Sequence, residues 1–364
     1  MVALLVPTGW SYAGALNAPG NDSWSIRSVE WVRQHHGRGL VNAIENFWYS
    51  HHRPKAGGTP KNGLPTPGTV VGPKAPFGPF AIPQFRIPAA IAPIASPALP
   101  GEGQWKPLGQ PVHGHPAMYA AFLRPDAVHT SLVTGVAWID PSLVKLVGYA
   151  GLQEPGGGPW HNQAPIPASV RPSLLAAFNS GFRMMDSRGG YFADGRSLRP
   201  LRDGAATLVV RPDGTPDVGE WGRDFHLGPE ISFARQNLQL IVDHGTPVSG
   251  IDQDSTIKWG ATLGNRQLVW RSGVGITSDG ALVYAGGNGL SAGSLARVLA
   301  AAGAERAMEL DINSTWVDFF TYSPAAAGQA PGNLSVQKLL PDMRAPLGRY
   351  LSGSSRDFIA VFER

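Results

Sequence analysis

Glycine occupies 46 positions and proline 33, so 79 of 364 residues favour turns or irregular backbone, against 56 that carry Lys, Arg, Asp or Glu. A chain punctuated this densely cannot sustain a coiled coil or a long helical bundle. Hydrophobic residues make up 43%, with 11 tryptophans, enough for a packed core at a length that suits one large domain and a smaller appendage. A wholly disordered chain is excluded.

The net charge of +4 is unevenly spread. Residues 1–100 hold eight basic side chains and three acidic ones, Asp22, Glu30 and Glu45, a balance of +5 that leaves −1 for residues 101–364. The larger part lacks the basic footprint of a nucleic-acid binder. Attraction to anionic membranes or wall polymers belongs to the N-terminal third. With no cysteine, disulfides, thiolate zinc sites and thiol nucleophiles are ruled out.

No charge precedes Asp22, and the opening residues contain an apolar run, Val2–Val6, followed by Trp10, Tyr12 and Leu16. The run is too short to span a bilayer, which takes roughly 20 residues. Two readings stay open: the tail of an export or anchor segment, or an ordinary buried N-terminus. From Asp22 or Ser23, which can cap a helix, Trp24, Ile26, Val29 and Val32 recur at near-helical spacing up to Gly37. A second helix is expected with Leu40, Ile44, Phe47 and Trp48 on one face, making a helical hairpin within residues 1–53. Residues 54–100 carry 12 prolines and four charges, all basic, and read as an extended strap docking Phe77, Phe80, Ile82, Phe85 and Ile87 on a neighbouring surface.

The compact domain is expected over 101–364. Strand-like runs fall at 118–123, 131–139, 143–149, 174–179, 206–211, 238–242, 267–275, 281–284, 307–311 and 358–362. Asp213-Gly214 and Asp279-Gly280 mark hairpin turns. One helix stands out, Ser291 to about Ala302, with Leu295, Val298 and Leu299 on one side and Gly303 as its stop. Many strands and few helices predict an α+β domain built on a mixed sheet, preceded by the hairpin and the Pro-rich strap.

Chemistry concentrates in 271–316. The strand–helix–strand order places the 307–311 strand in the same sheet as the strand ending Arg271-Ser272-Gly273-Val274-Gly275, and ligands in such units bind at the carboxyl end. Asp311, Asn313 and Ser314 lie there. In a strand, Glu309 and Asp311 face one side, while Met308 and Leu310 face the core. Spacing equally allows two solvated carboxylates and an Asn-Ser turn cap. Arg271 sits in an apolar strand, where a guanidinium needs a partner: Asp311, Glu309 or a bound anion, for which the planar fork of Arg suits phosphate. A third element, Ala177-Phe178-Asn179-Ser180-Gly181-Phe182, offers an amide at a strand end for sugar hydroxyls, or a plain turn.

Taken in order, these three elements resemble the phosphodiester glycosidase family, whose pattern is an Asn-Gly-Gly-Phe-Phe-like motif, an Arg-x-Ala-x-Gly strand with an Asp-Gly hairpin, a short helix, and a Leu-Asp-Gly-Gly-Gly-Ser-like motif. Here they read Asn179-Ser180-Gly181-Phe182-Arg183, Arg271-Ser272-Gly273-Val274-Gly275 with Asp279-Gly280, and Leu310-Asp311-Ile312-Asn313-Ser314. Ser180 and Arg183 replace a glycine and an aromatic, and Ile312-Asn313-Ser314 replaces a glycine triplet that would let a ligand approach the backbone. The resemblance implies a hydrolase of glycosyl phosphodiesters or related envelope glycans, exported or held at the envelope, with no cofactor and no metal. It casts Asp311 as nucleophile or base, Glu309 as a second carboxylate, Arg271 as phosphate clamp, and Asn179, Gly181, Asn313 and Ser314 as substrate contacts.

Two rivals stand beside it. The changed glycine motifs fit a non-catalytic glycan-binding module of the same fold. His113-Gly114-His115 with His129, or Asp252-x-Asp254-Ser255, would instead serve a metal-dependent phosphodiesterase. Gly156-Gly157-Gly158 and Gly286-Gly287-Asn288-Gly289 lack the following Lys-Ser/Thr of a phosphate-binding loop.

Overall fold

The computed structural model describes residues 2–20, 22–35, 37, 41, 54–68, 85–253, 259–260, 268–325 and 334–364. Three antiparallel sheets form the body. The largest has eight strands in the order Lys106–Pro107, Met118–Leu123, Thr134–Ile139, Leu282–Leu290, Val269–Thr277, Ala304–Glu309, Leu240–Asp243 and Thr246–Pro247. One five-stranded sheet runs Arg196–Arg199, Tyr191–Ala193, Phe233–Asn237, Ala206–Val210, Pro216–Glu220. The other runs Leu334–Lys338, Phe319–Pro324, Leu174–Asn179, Phe358–Glu363, Val144–Tyr149.

The expected mixture of strand directions is narrowed. Among the described residues every ladder between neighbouring strands is antiparallel. Parallel pairing is confined to isolated bridges, Ala150 with Gln163 and Trp221 with Phe225. The crossover through the 292–301 helix still joins two strands of like direction, Leu282–Leu290 and Ala304–Glu309, because Val269–Thr277 lies between them and opposes both. The hairpin at Asp279-Gly280 closes that central pair, with Gly280 at φ +95°, a conformation that a side chain would strain.

All three sheets turn apolar faces into one core: Val274, Tyr284 and Met308 from the eight-stranded sheet meet Phe178 and Ile359 from one neighbour and Leu208 and Phe233 from the other. On its opposite face the large sheet carries the Ala292–Ala301 helix, whose Leu295, Val298 and Leu299 are fully buried against Val136, Trp138 and Val283. That helix starts on a reciprocal cap, Ser291 accepting from the Ser294 amide and Ser294 from that of Ser291, each at 2.9 Å.

At the N-terminus, α1 (Val2–Leu16) pairs with α2 (Trp24–Gln34), which starts on Ser23 as its cap. This pairing is a different one from the expected hairpin of the 24–37 segment with a helix around Leu40–Trp48. Tyr12 packs edge-on to Trp31 and its hydroxyl meets Ser28 Oγ at 2.7 Å. The helix expected around Leu40–Trp48 lies outside the described residues. Among the described residues no helix is long and apolar enough to cross a membrane. Residues 85–100 carry no helix or strand and lie on the body: Phe85 donates its amide to Asp140 at 3.0 Å and Ile91 is buried. Ile87 is exposed, while Phe77, Phe80 and Ile82 are outside the described residues.

Candidate active site

Where the Ala304–Glu309 strand ends, its ladder continues for two more residues. Leu310 donates to the Ser272 carbonyl at 2.7 Å and Ser272 donates to the Asp311 carbonyl at 2.9 Å. This extension carries Asp311 to the sheet edge with Met308 and Leu310 in the core, as the alternation predicts. Glu309 and Asp311 are not solvated: they are 1% and 2% exposed.

The two carboxylates have different partners. Arg271 places Nη1 2.9 Å from both oxygens of Glu309 and also donates to the carbonyls of Trp259 and Leu290. The choice that spacing left open is therefore resolved in favour of Glu309, in a dry interior where Arg271 is 2% exposed. Burial pushes the Glu309 carboxyl up to about 7, with Arg271 pulling against it. Arg271 and Glu309 are buried against each other, so the expected roles of phosphate clamp and second carboxylate do not fall to groups that are open to a ligand.

Asp311 is paired instead with a residue from the far end of the chain. Arg356 donates from Nη1 to Asp311 Oδ2 at 3.0 Å. The other oxygen, Oδ1, accepts the amides of Ile312 at 2.7 Å and Asn313 at 2.9 Å. Burial raises the Asp311 carboxyl above the ordinary aspartate range, while Arg356 and the two amides draw it down. Arg356 lies over the Trp316 ring, its guanidinium carbon 4.0 Å from the centroid. Arg349 sits 4.3 Å from the same centroid and joins its Nη1 to Asp318 at 2.9 Å. Asp318 also accepts the Tyr350 hydroxyl at 2.5 Å, and burial raises it to about 6.

Asn179 reaches this edge from the neighbouring sheet but is already engaged. Its Nδ2 donates to Ser272 Oγ at 3.1 Å and its Oδ1 accepts the Asp318 amide at 3.4 Å. At 4% exposure it fastens two sheets together at Asp311. Gly181, at φ +155°, backs onto Arg235, whose Cζ lies 3.5 Å from where a side chain would begin. Asn313 is half-buried and caps its own turn by accepting the Thr315 amide at 2.9 Å, while Ser314 is buried. The structure thus brings Asn179, Asp311, Asn313 and Ser314 to one sheet edge, with Arg271 and Glu309 paired beneath it.

Three residues essential to that edge went unrecognised as site residues in the sequence. Arg356 and Asp357 were visible only as a charged doublet ahead of a closing apolar strand. Arg235 lies in the Phe233–Asn237 strand, whose buried Arg-Gln-Asn run reads as surface. Asp357 accepts Arg235 Nε at 2.7 Å and Ser180 Oγ at 2.5 Å, so Ser180, which stands where the family pattern has glycine, ties the Asn179 turn to the strand after Arg356. Arg183, which stands where the pattern has an aromatic, donates from Nε to Asp186 at 3.0 Å and also reaches Glu30 of α2.

Residues 173–317 match the phosphodiester glycosidase family. The phosphodiester glycosidase segment contains Asn179, Arg271, Glu309, Asp311 and Asn313 and stops short of Arg356. No curated protein matches the chain. Among solved structures, the auto-inhibited catalytic domain of zebrafish N-acetylglucosamine-1-phosphodiester alpha-N-acetylglucosaminidase aligns at 16% identity and a TM-score of 0.44, over 71% of this chain and 88% of that one. A hypothetical protein from Synechocystis aligns at 12% identity and a TM-score of 0.37, over 71% of this chain and 64% of that one.

Other clusters raised by the sequence lie apart from Asp311. His129 contacts Asp126 at 3.2 Å and Asp252 pairs with Arg297 at 2.8 Å. Among the described residues no three His, Asp or Glu side chains come together as a metal-ligand set. Asp254 and Ser255 are outside the described residues. A separate groove of about 450 Å³, lined by Trp160, Phe192, Lys145 and Arg211 among others, contains none of the residues around Asp311.

Proposed function

We propose that this protein is a hydrolase that cleaves a glycosyl phosphodiester, or a related glycan linkage of the cell envelope, with Asp311 as the reacting carboxylate and Arg356 as the cation beside it. The observation that carries this reading is the 3.0 Å contact between Asp311 and Arg356, side chains 45 positions apart, at the edge where Asn179 also arrives. The phosphodiester glycosidase match over 173–317 supports the reaction class.

A glycosyl phosphodiester already carries a stable anionic leaving group, so the site has little need to protonate it. It needs a carboxylate for the oxocarbenium-like carbon and a cation for the phosphate. Asp311 either attacks the anomeric carbon or takes a proton from the attacking water. The carbon–oxygen bond to phosphate breaks, the phosphate keeps the electron pair, and Arg356 balances the charge. Water supplies the hydroxyl of the released sugar. The Ile312 and Asn313 amides hold Oδ1, Arg356 contacts Oδ2, which becomes the reacting oxygen once Arg356 turns to the phosphate, and the Arg356 guanidinium lies over Trp316.

Turnover of an activated glycosyl phosphodiester tests the assignment. Asp311→Asn should lower kcat by about 10²–10⁴ and Arg356→Ala by about 10²–10³. Near wild-type rates in both variants would reject it. One observation favours a glycan-binding module instead: both Asp311 oxygens are occupied in the structure. Saturable binding of envelope glycans without product release would decide for that reading.

We also place the protein at the cell envelope with its N-terminus against a membrane surface. Trp10 and Trp24 are 85% and 74% exposed on the two helices, and tryptophan favours the membrane–water boundary. Co-sedimentation with anionic vesicles, lost in Trp10→Ala/Trp24→Ala, is the expected result.

A further inference from the structure

The structure assigns Arg183 and Arg356 as a two-guanidinium site for the phosphate of the substrate, now filled by the carboxylate of Glu30 from the protein's own α2. This deepens the proposed function and rests on it for the identity of the phosphate. Each arginine has one carboxylate partner from the body and shares a second from α2. Arg183 holds Asp186 through Nε, and Arg356 holds Asp311 through Nη1. A further donor of each converges on Glu30: Arg356 Nη2 at 3.2 Å on Oε1, and Arg183 Nη1 on Oε2.

Two guanidiniums straddling one carboxylate present planar, charge-assisted donors on two sides, an arrangement that also matches the oxygens of a phosphodiester. The charge matches too, since a carboxylate and a phosphodiester each carry one negative charge. A phosphate seated there would contact Arg356 through Nη2, the donor that Asp311 does not use. Arg183 and Arg356 are 8% and 9% exposed, so the fork is a desolvated position where such bonds are strong.

The occupant is loosely built in. No residue of α2 is buried. Among the described residues, the contacts of the hairpin with the body include, besides Glu30, Asp22 on Ser355, a 3.5 Å contact from Gln153 to the Pro19 carbonyl, and the approach of Gly20 to Gly353. Substrate and Glu30 therefore compete for one pair of cations, and the hairpin must shift before the phosphate can enter.

Titration calorimetry with inorganic phosphate on the full chain tests this without requiring turnover. Glu30→Gln, a substitution on a helix surface, should bind phosphate about tenfold or more tightly than wild type. Adding Arg183→Ala or Arg356→Ala to Glu30→Gln should abolish the gain. In wild type, saturating phosphate should speed hydrogen exchange of the α2 amides. Equal phosphate affinity in wild type and Glu30→Gln, retention of the gain without Arg183, or unchanged exchange in α2 would each overturn the assignment. The hydrolase reading fails separately: a protein that binds phosphate in this way yet cleaves no glycosyl phosphodiester keeps the anion site and loses the reaction.

Discussion

The acid at the centre of the site is governed by opposing influences that one substitution can separate. Burial raises Asp311, and Arg356 is the first of the groups that pull it back. A nucleophile or base must be ionised, so the acidic limb of kcat/KM should report Asp311 and lie above the ordinary aspartate range. Replacing Arg356 by Gln keeps a donor near Oδ2 but removes the charge, so the limb should move to higher pH. A pH–rate profile in which Arg356→Gln leaves the limb in place would show that another group controls it. At this scale the sequence was only partly legible. Asp311 could be singled out because it follows a strand and precedes a polar turn. Its partner could not, since nothing local distinguishes Arg356 from any charged residue before a strand, and the pairing is made by the antiparallel docking of Phe358–Glu363 against Leu174–Asn179. Arg271 misled for a related reason: an arginine in an apolar strand demands an anion, and the demand is met two residues before Asp311 by Glu309.

Among the elements, several with strong alternation or a clear helical face were readable, while the Phe233–Asn237 strand, with three buried polar residues in a row, was not. The Ala292–Ala301 helix and the Asp279-Gly280 hairpin appear as their spacing predicts. The Phe233–Asn237 strand was missed because Arg235, Gln236 and Asn237 are all buried, with partners from other strands and loops: Asp357 for Arg235, the Gly190 and Arg202 amides for Gln236, and the Glu309 and Leu310 carbonyls for the Asn237 side-chain amide nitrogen. Such satisfaction is a tertiary property that no local pattern displays. Element packing also makes Gly151 a handle on the site. A Cβ there would lie 2.4 Å from the Arg356 carbonyl carbon and 2.6 Å from its Cα and amide nitrogen. Backbone cannot rotate away as a side chain can, so Gly151→Ala should cost about 1–3 kcal/mol of stability and also move Arg356. Denaturant unfolding and turnover should fall together. A variant that loses stability and keeps full kcat would show that the turn yields without disturbing the site.

At the level of the whole molecule, the buried carboxylates set how stability responds to pH. Burial raises Glu309 to about 7 and Asp318 to about 6, and Asp311 and Glu154 in the same direction. For each, the folded protein holds its proton more tightly than the unfolded chain, so the contribution is complete below the unfolded carboxyl range and fades as pH climbs through the folded value. Glu102 has the opposite sign. Its hydrogen bonds to Arg124 and to the Leu99 and Arg124 amides overcome burial and lower it, and it loses its contribution only on acidification. The two groups together place the greatest stability on the mildly acidic side of neutrality, with a decline between about pH 5 and pH 7. Glu309→Gln isolates the largest part of that decline. At pH 5 the wild-type carboxyl is protonated and an amide resembles it in shape and charge, so the thermal midpoints should agree. At pH 8 the wild type bears a buried carboxylate and the variant does not, so the variant's midpoint should exceed that of wild type. The difference in slope between wild type and variant across this window should approach about 1.4 kcal/mol per pH unit for the one proton involved. Parallel midpoint curves for the two proteins from pH 5 to pH 8 would mean that Arg271 holds Glu309 ionised throughout, and that the pH dependence arises from Asp318 and its neighbours.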